Sequence, residues 1–141
     1  MNLIRWLSIA GRHTKMYLDQ QFAPLGINCS QHMYIIKICE HPGISQEQFL
    51  DLFYLHPSNI TRGLGSLIKS GFITKNASQQ DKRTYCLYPT PKAYAVYDKI
   101  LAILRETQEQ LLSPLSEEDA GKFGEMLQEI ALQSVFMTQE K

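Results

Sequence analysis

Cysteine is scarce in this sequence, and its pattern excludes the usual cysteine-based frameworks. Only Cys29, Cys39 and Cys86 occur, an odd number, and no two of them form a CxxC pair. We therefore expect neither a disulfide scaffold nor a structural zinc site. Free cysteines usually behave as small buried hydrophobic residues, whereas a thiol beside a cation can act as a redox sensor. The sequence leaves both interpretations open.

Long apolar runs and catalytic motifs are also missing. No stretch approaches about 18 consecutive apolar residues, and Arg5 and Arg12 interrupt the first segment before a signal-peptide core could form. We therefore expect a cytoplasmic protein without a membrane span. No GxSxG, P-loop, HExxH or paired-carboxylate pattern is present, so we expect no enzyme activity and no cofactor.

Charge is balanced over the whole chain but not along it. The 141 residues include 14 basic and 14 acidic ones. Hydrophobic residues make up 44% of the chain, as in an ordinary folded domain. Residues 56–92 hold six basic residues against one acidic residue, a local net charge of +5, whereas residues 93–141 sum to −5. Such a basic block predicts an anion-binding face in the middle of the chain.

Helix-start signals divide the first half of the chain. Apolar residues recur at helical spacing over residues 3–22, and NCSQ then offers Asn28 and Gln31 as a capping box for a second helix ending near residue 41. ISQEQF provides a second capping box, Ser45 with Gln48, for a third helix from residue 46 to residue 54 or 55. Pro57 opens a fourth helix that Gly71 terminates.

After residue 71 the hydrophobic period changes to that of strands. FITK and TYCLY flank the polar segment NASQQDKR, which predicts a β-hairpin with a basic tip. Pro91 then begins a long helix, and Ser116 caps a last one. Two short helices followed by such a hairpin predict a mainly α fold with a small β-hairpin wing, a winged helix-turn-helix at residues 28–90. The apolar surplus of residues 1–27 and 91–141 predicts helices that form a dimerisation bundle.

The residues of this middle region resemble those of the MarR (multiple antibiotic resistance regulator) family over about residues 12–93. LGINCSQ, HPGISQEQF and HPSNITRGLGSLIKSGFI are similar to the entries of its second and third helices and to its recognition helix. The triplet Asp81-Lys82-Arg83 followed by Thr90 is similar to its wing signature. Gly63, Gly65 and Ser66 depart from the family pattern, and the two glycines predict a soft recognition helix.

The resemblance implies a homodimeric transcription regulator, a repressor, that binds a pseudo-palindromic operator in double-stranded DNA. Asn59 could pair with adenine and Arg62 with guanine, although Asn59 could equally make a helix-start hydrogen bond and Arg62 a phosphate contact. Lys82 and Arg83 would reach the minor groove or its phosphates, and Asp81 would orient an arginine. The full predicted DNA-binding set is Ser45, Gln46, Pro57, Ser58, Asn59, Thr61, Arg62, Lys82 and Arg83, with Ser30 as a further phosphate contact.

By the same resemblance, a small phenolic or anionic effector would meet Arg12, Tyr17 and His32; the alternative is that these are interface or surface residues. Two other functions stay open. A zinc-responsive regulator would use histidines, but no histidine follows residue 56. A winged domain could also serve as a protein-interaction module that never meets DNA.

Overall fold

The computed structural model describes residues 1–52 and 54–139. The chain forms two compact units, one over Met1–Leu104 and one that begins at Arg105. The described α-helices and strands are α1 (Leu3–Phe22), α2 (Cys29–Glu40), β1 (Ile44–Ser45), α3 (Gln46–Leu52), α4 (Pro57–Lys69), β2 (Ile73–Ala77), β3 (Tyr85–Pro89), α5 (Pro91–Leu112) and α6 (Glu117–Thr138), and a 3-10 helix, Ala23–Leu25, follows α1. The prediction of a mainly α fold with a small β wing is confirmed.

Reciprocal side-chain caps begin α2 and α3. The Asn28 side chain accepts a hydrogen bond from the Gln31 backbone N–H at 3.1 Å, and Gln31 Oε1 accepts from the Asn28 N–H at 3.0 Å. Ser45 and Gln48 repeat this arrangement with two contacts of 3.1 Å. Each box satisfies two N–H groups that a helix start otherwise leaves unpaired, so both predicted boxes are confirmed.

The first unit has one hydrophobic core. Ile60, Leu64 and Leu67 recur at intervals of four and three residues, so one face of α4 points into that core. α1 contributes Leu18 and Phe22 to the same core. The other members that are at least nine-tenths buried are Ile27, Tyr34, Ile35, Ile38, Phe49, Phe72, Ile73, Leu87, Ala93, Val96 and Ile100. The division of the chain at residues 27/28 and 90/91 stays a prediction.

A three-stranded antiparallel sheet lies beside these helices, in the order β1-β3-β2. β2 pairs with β3 from Ile73 opposite Pro89 to Ala77 opposite Tyr85, which is the predicted hairpin. β1 adds Ile44 opposite Leu87, and this strand was not predicted. Two residues are too short for an alternating pattern, so only the tertiary pairing reveals them.

The predicted end of α3 at Tyr54 or Leu55 is wrong, because neither residue is helical. α3 ends at Leu52 among the described residues, not at Tyr54 or Leu55, and Phe53 of that predicted span lies outside them. Tyr54 has a φ of +53°, in the left-handed region that a helix cannot continue through. α4 ends as predicted, since Gly71 follows it with a φ of +85°.

In the second unit, Ser116 caps the start of α6, and its Oγ accepts from the Asp119 N–H at 3.1 Å, as predicted. Every described α6 side chain is at least partly exposed, including the large apolar residues Phe123, Met126, Leu127, Ile130, Leu132, Phe136 and Met137. Residues 140 and 141 of the predicted dimerisation segment lie outside the described residues. Among the described helices none is both long and apolar enough to span a bilayer.

Candidate nucleic-acid interface

The outward side of α4 carries the predicted recognition residues. Ser58, Asn59 and Thr61 are exposed, as is Arg62, because the buried stripe of this helix occupies the opposite face. These side chains stand in the first two turns, where a major-groove helix presents its base-reading groups. Pro57, also predicted to contact DNA, occupies the first helical position.

His56 holds the start of α4, a role that the sequence analysis missed. Its Nδ1 accepts from the Ser58 backbone N–H at 3.2 Å and from the Ser58 hydroxyl at 2.7 Å. The imidazole thus takes the place of the usual Ser, Asp or Asn cap. It also fixes the orientation of the Ser58 hydroxyl. A histidine in the residue before an N1 proline is a signal that could have indicated this cap.

Ser45 and Gln46 lie at the junction of β1 and α3, and both are half-buried. Ser45 Oγ already accepts the Gln48 N–H in the capping box. Its hydroxyl hydrogen remains available to a phosphate oxygen. Ser30 is exposed in the first turn of α2 and lines a cleft of about 600 Å³ together with Asn59, Arg62 and Ser66.

The tip of the wing, residues 78–84, is ordered by its own hydrogen bonds. Asp81 Oδ1 accepts from the Arg83 backbone N–H at 3.0 Å and lies 3.9 Å from Arg83 Nε. The Ser78 N–H donates to the Thr84 carbonyl at 2.7 Å and closes the loop. The Arg83 side chain remains 97% exposed, so its guanidinium is free to reach outward from the wing. Lys82 beside it is exposed as well.

Lys75 and Tyr85 form a further basic feature on the wing that was not predicted as a site. Lys75 Nζ stands 4.4 Å from the centroid of the Tyr85 ring, and both side chains are exposed. A cation over an aromatic face is held in place while its charge stays available to an anion. The β2–β3 register brings them together, because Tyr85 lies opposite Ala77, two residues along β2 from Lys75. The sequence alone does not state this register.

The end of α4 is held by the start of α5. Lys92 Nζ donates to the Ser70 carbonyl at 2.7 Å and lies 4.4 Å from the Phe72 ring centroid. The Thr90 hydroxyl donates to the Gly71 carbonyl at 2.6 Å. These contacts satisfy carbonyl groups that a helix end leaves unpaired. They explain why a threonine stands at residue 90, beyond its role as a motif residue.

The three predicted effector residues lie on α1 and α2. Arg12 is exposed on α1, and Tyr17 is half-buried one and a half turns later. His32 of α2 stacks on Phe22 with ring centroids 5.1 Å apart, and its Nδ1–H donates to the Cys29 carbonyl. Burial lowers the pKa of His32, because it disfavours the charged imidazolium, while that hydrogen bond acts in the opposite direction.

The cysteines are free and half-buried. Burial raises the pKa of Cys29, and the nearby Asp19 carboxylate adds to this effect. Burial also raises the pKa of Cys39, with Glu40 contributing. A raised pKa reduces the thiolate fraction, so these two positions favour the buried-residue interpretation over redox sensing. Within residues 1–52 and 54–139, no group of three or more His, Cys, Asp or Glu residues could hold a metal ion.

Comparison with known proteins agrees with this architecture. The model of the MarR family matches residues 27–85. An uncharacterised HTH-type transcriptional regulator of Bacillus subtilis, YybA, is 25% identical over 129 residues, which are 92% of this chain and 86% of that protein.

Solved structures show the same fold over almost the full length. A crystal structure of MarR is 25% identical and superposes with a TM-score of 0.79, covering 97% of this chain and 93% of that one. A Listeria monocytogenes protein described as a MarR family transcriptional regulator, crystallised with a 26mer DNA, superposes with a TM-score of 0.84 at 22% identity, over 96% and 90% of the two chains. The winged fold, the Asp81–Arg83 wing tip and the family-model match over residues 27–85 together make this chain similar to the MarR family.

Proposed function

We propose that this chain is a homodimeric transcription regulator, a repressor, that binds double-stranded DNA through α4 and the wing. The observation that carries the proposal is the exposed polar start of α4 in the same unit as a wing whose Arg83 side chain is 97% exposed. The +5 charge of residues 56–92 attracts a polyanion to this region of a neutral protein. The Listeria relative that was crystallised with DNA supports the same use of the fold.

Within this proposal the contacts divide into two kinds. Asn59 and Arg62 read base edges in the major groove, where asparagine suits adenine and arginine suits guanine. Lys82 and Arg83 bind phosphates or the narrow minor groove, with Asp81 holding the Arg83 backbone and guanidinium. The hydroxyl and amide groups of Ser30, Ser45 and Gln46, with Pro57, Ser58 and Thr61 in the first two turns of α4, fix the position of the protein on the DNA backbone.

The experiment that tests the proposal is selection of bound duplexes from a random pool, followed by affinity measurements across salt concentrations. A symmetric dimer should recover an inverted repeat whose half-sites lie about one helical turn apart. If Lys82 and Arg83 of both copies contact phosphates, log K should fall with log salt with a slope of about −4. A chain that binds no duplex even in dilute buffer, or that recovers only single half-sites, would contradict the proposal.

An effector is the finer part of the proposal, and it rests on the family rather than on a contact. A small phenolic or anionic molecule bound near Arg12, Tyr17 and His32 would lower DNA affinity only by preferring the dimer geometry that cannot bind the operator. The test adds each hydroxybenzoate isomer to the protein–DNA complex. Release from native protein but not from Arg12→Ala, with Arg5→Ala as the matched control on α1, is the expected result. Equal release from both variants would refute a role for Arg12.

A further inference from the structure

α2 and α4 meet at two points that are spaced alike on both helices. Gln31 Nε2 of α2 donates to Ser66 Oγ of α4 at 2.9 Å. Tyr34, three residues after Gln31 on α2, packs against Gly63, three residues before Ser66 on α4. Residues three apart lie on one face of a helix, so the two pairs form a short ladder between antiparallel faces.

The Tyr34–Gly63 contact leaves no room for a larger residue on α4. A Cβ atom added to Gly63 would stand 2.5 Å from Tyr34 Cε2, whereas ordinary contacts begin at about 3.4 Å. Either the ring or the helix would have to move by about 1 Å. Gly63 is thus a close-approach glycine, and the two glycines of α4 differ, because a Cβ added to Gly65 would meet nothing within 4 Å.

The Tyr34 ring cannot move aside freely. Only 4% of Tyr34 is exposed, and its ring lies 5.3 Å from that of Phe49, a residue of α3 that is fully buried. Protein interiors are close-packed, so a shift of this ring displaces its neighbours as well. Tyr34 therefore packs where α2, α3 and α4 converge. A larger residue at position 63 would displace α4 rather than the Tyr34 ring.

Gln31 adds a directional contact to this packing. Its Oε1 accepts the Asn28 N–H in the capping box while its Nε2 donates to Ser66, so the start of α2 is tied to α4. Asn59 stands one turn before Gly63, and Arg62 is the adjacent residue; all three line the same cleft. A displacement of α4 at Gly63 is therefore transmitted to the two base-reading side chains.

We propose that Tyr34 and Gly63, secured by the Gln31–Ser66 hydrogen bond, are positioning residues that set where the recognition helix presents Asn59 and Arg62 to DNA. The inference rests on the proposed DNA-binding function and goes beyond it, because none of these four residues needs to touch a base. Recognition groups must be held within about 0.5 Å of their productive geometry, so a shift of about 1 Å is enough to lose a base contact. Phosphate contacts made by the wing would survive that shift.

The test uses the full-length chain and three variants: Gly63→Ala, the matched control Gly65→Ala, and Gly63→Ala combined with Tyr34→Leu, which makes room for the new methyl group. Each is assayed on the duplex selected by the native protein and on a scrambled duplex of equal composition. Circular dichroism and denaturant unfolding report the fold in parallel.

Gly65→Ala should raise the folded-to-unfolded ratio about fivefold and leave both affinities unchanged. Gly63→Ala should lower affinity for the selected duplex about tenfold, the loss of one base contact, with the scrambled duplex within about twofold of native. The double variant should recover affinity for the selected duplex to within about threefold. A loss confined to the selected duplex, with circular dichroism and unfolding showing a folded protein, is a readout that a merely structural role would not give, and the rescue traces that loss to the Tyr34 contact.

Several results separate this inference from the proposed function. A native chain that binds no DNA overturns the proposed function and the positioning role together. A native chain that binds, with Gly63→Ala equal to Gly65→Ala, overturns only the positioning role. Equal losses on both duplexes do the same. If Gly63→Ala alone does not fold, the double variant decides: it supports the inference if folding and binding to the selected duplex return, and overturns it if either does not.

Discussion

His56 supplies the acceptor for the first turn of α4, since its Nδ1 receives the Ser58 N–H and hydroxyl. We expect His56→Ala to lower the free energy of unfolding by about 1 kcal/mol, the usual cost of losing a side-chain cap. His56→Asn should retain most of it, because an asparagine oxygen can accept the same N–H. Guanidinium unfolding of the three proteins measures this. Equal stability of His56→Ala and the native chain would show that the cap contributes nothing.

His32 makes stability depend on pH in a predictable direction. Burial lowers its pKa in the folded chain, so the unfolded chain binds this proton more readily. The contribution of neutral His32 to the free energy of unfolding is fully present above about pH 6.5, the ordinary pKa of histidine. It is lost as the pH falls through the lower pKa of His32 in the folded chain. His32→Phe keeps an aromatic ring beside Phe22 and removes the titration.

The free energy of unfolding should therefore fall more steeply in the native chain than in His32→Phe between pH 7.5 and pH 5. Urea unfolding at several pH values measures both slopes. Identical slopes would mean that His32 titrates alike in the folded and unfolded chains.

At the scale of helices and strands, the sequence predicts what neighbouring residues determine. The caps at Asn28, Ser45 and Ser116 depend on a partner three residues away, so their patterns are visible and the predicted helix starts are confirmed. β1 was missed because its pairing with Leu87 depends on the tertiary fold. The end of α3 was misplaced because Tyr54 adopts the left-handed conformation, which the sequence signals only when the residue is a glycine.

The same limit applies to the interface. Exposure of the polar start of α4 follows from its periodicity, but the two glycines of that helix look alike in sequence. Both glycines carry the prediction of a soft helix, which stays a prediction; α4 itself is continuous from Pro57 to Lys69. Only the distance to Tyr34 distinguishes Gly63 from Gly65. The contacts of Lys92 and the placement of Lys75 over Tyr85 are likewise long-range consequences of the fold.

Removing one side chain from α4 and one from the wing should change DNA affinity in different ways. Arg83→Ala removes an exposed guanidinium from the wing tip, so it should weaken binding to all duplexes by a similar factor and make the salt slope shallower. Asn59→Ala should relax preference at one base pair, at a cost of about 1–3 kcal/mol on the selected duplex only. Selection from a random pool with each variant compares them. The same uniform loss for both would discredit this division.

At the scale of the whole molecule, apolar surface remains uncovered in each unit. Phe123, Met126, Leu127 and Ile130 follow one face of α6, and each is more than 40% exposed. α1 exposes Trp6 among its apolar residues. Exposed apolar faces of this size favour burial in an interface with a second copy of the chain.

We therefore expect a dimer of twice the 16.2 kDa chain mass, and we expect Ile130→Glu to yield monomers. Ile130 is 49% exposed within one chain, so the substitution should leave the fold of the monomer intact. Glu129→Gln, next to it on α6, is the control and should stay dimeric. Sedimentation equilibrium measures the masses. A native chain that sediments as a monomer, or a dimeric Ile130→Glu, would contradict this prediction.

The shortest strand links the wing to the rest of the interface. Ser45 pairs with Cys86 in the sheet and at the same time caps α3, so one residue is shared by the wing and by the first helix of the helix-turn-helix. A wing anchored in this way cannot pivot at its base without breaking that cap. Bending is thereby restricted to the outer loop. Backbone amide hydrogens at the base of the hairpin should exchange with solvent at the same rate as those in the first turn of α3.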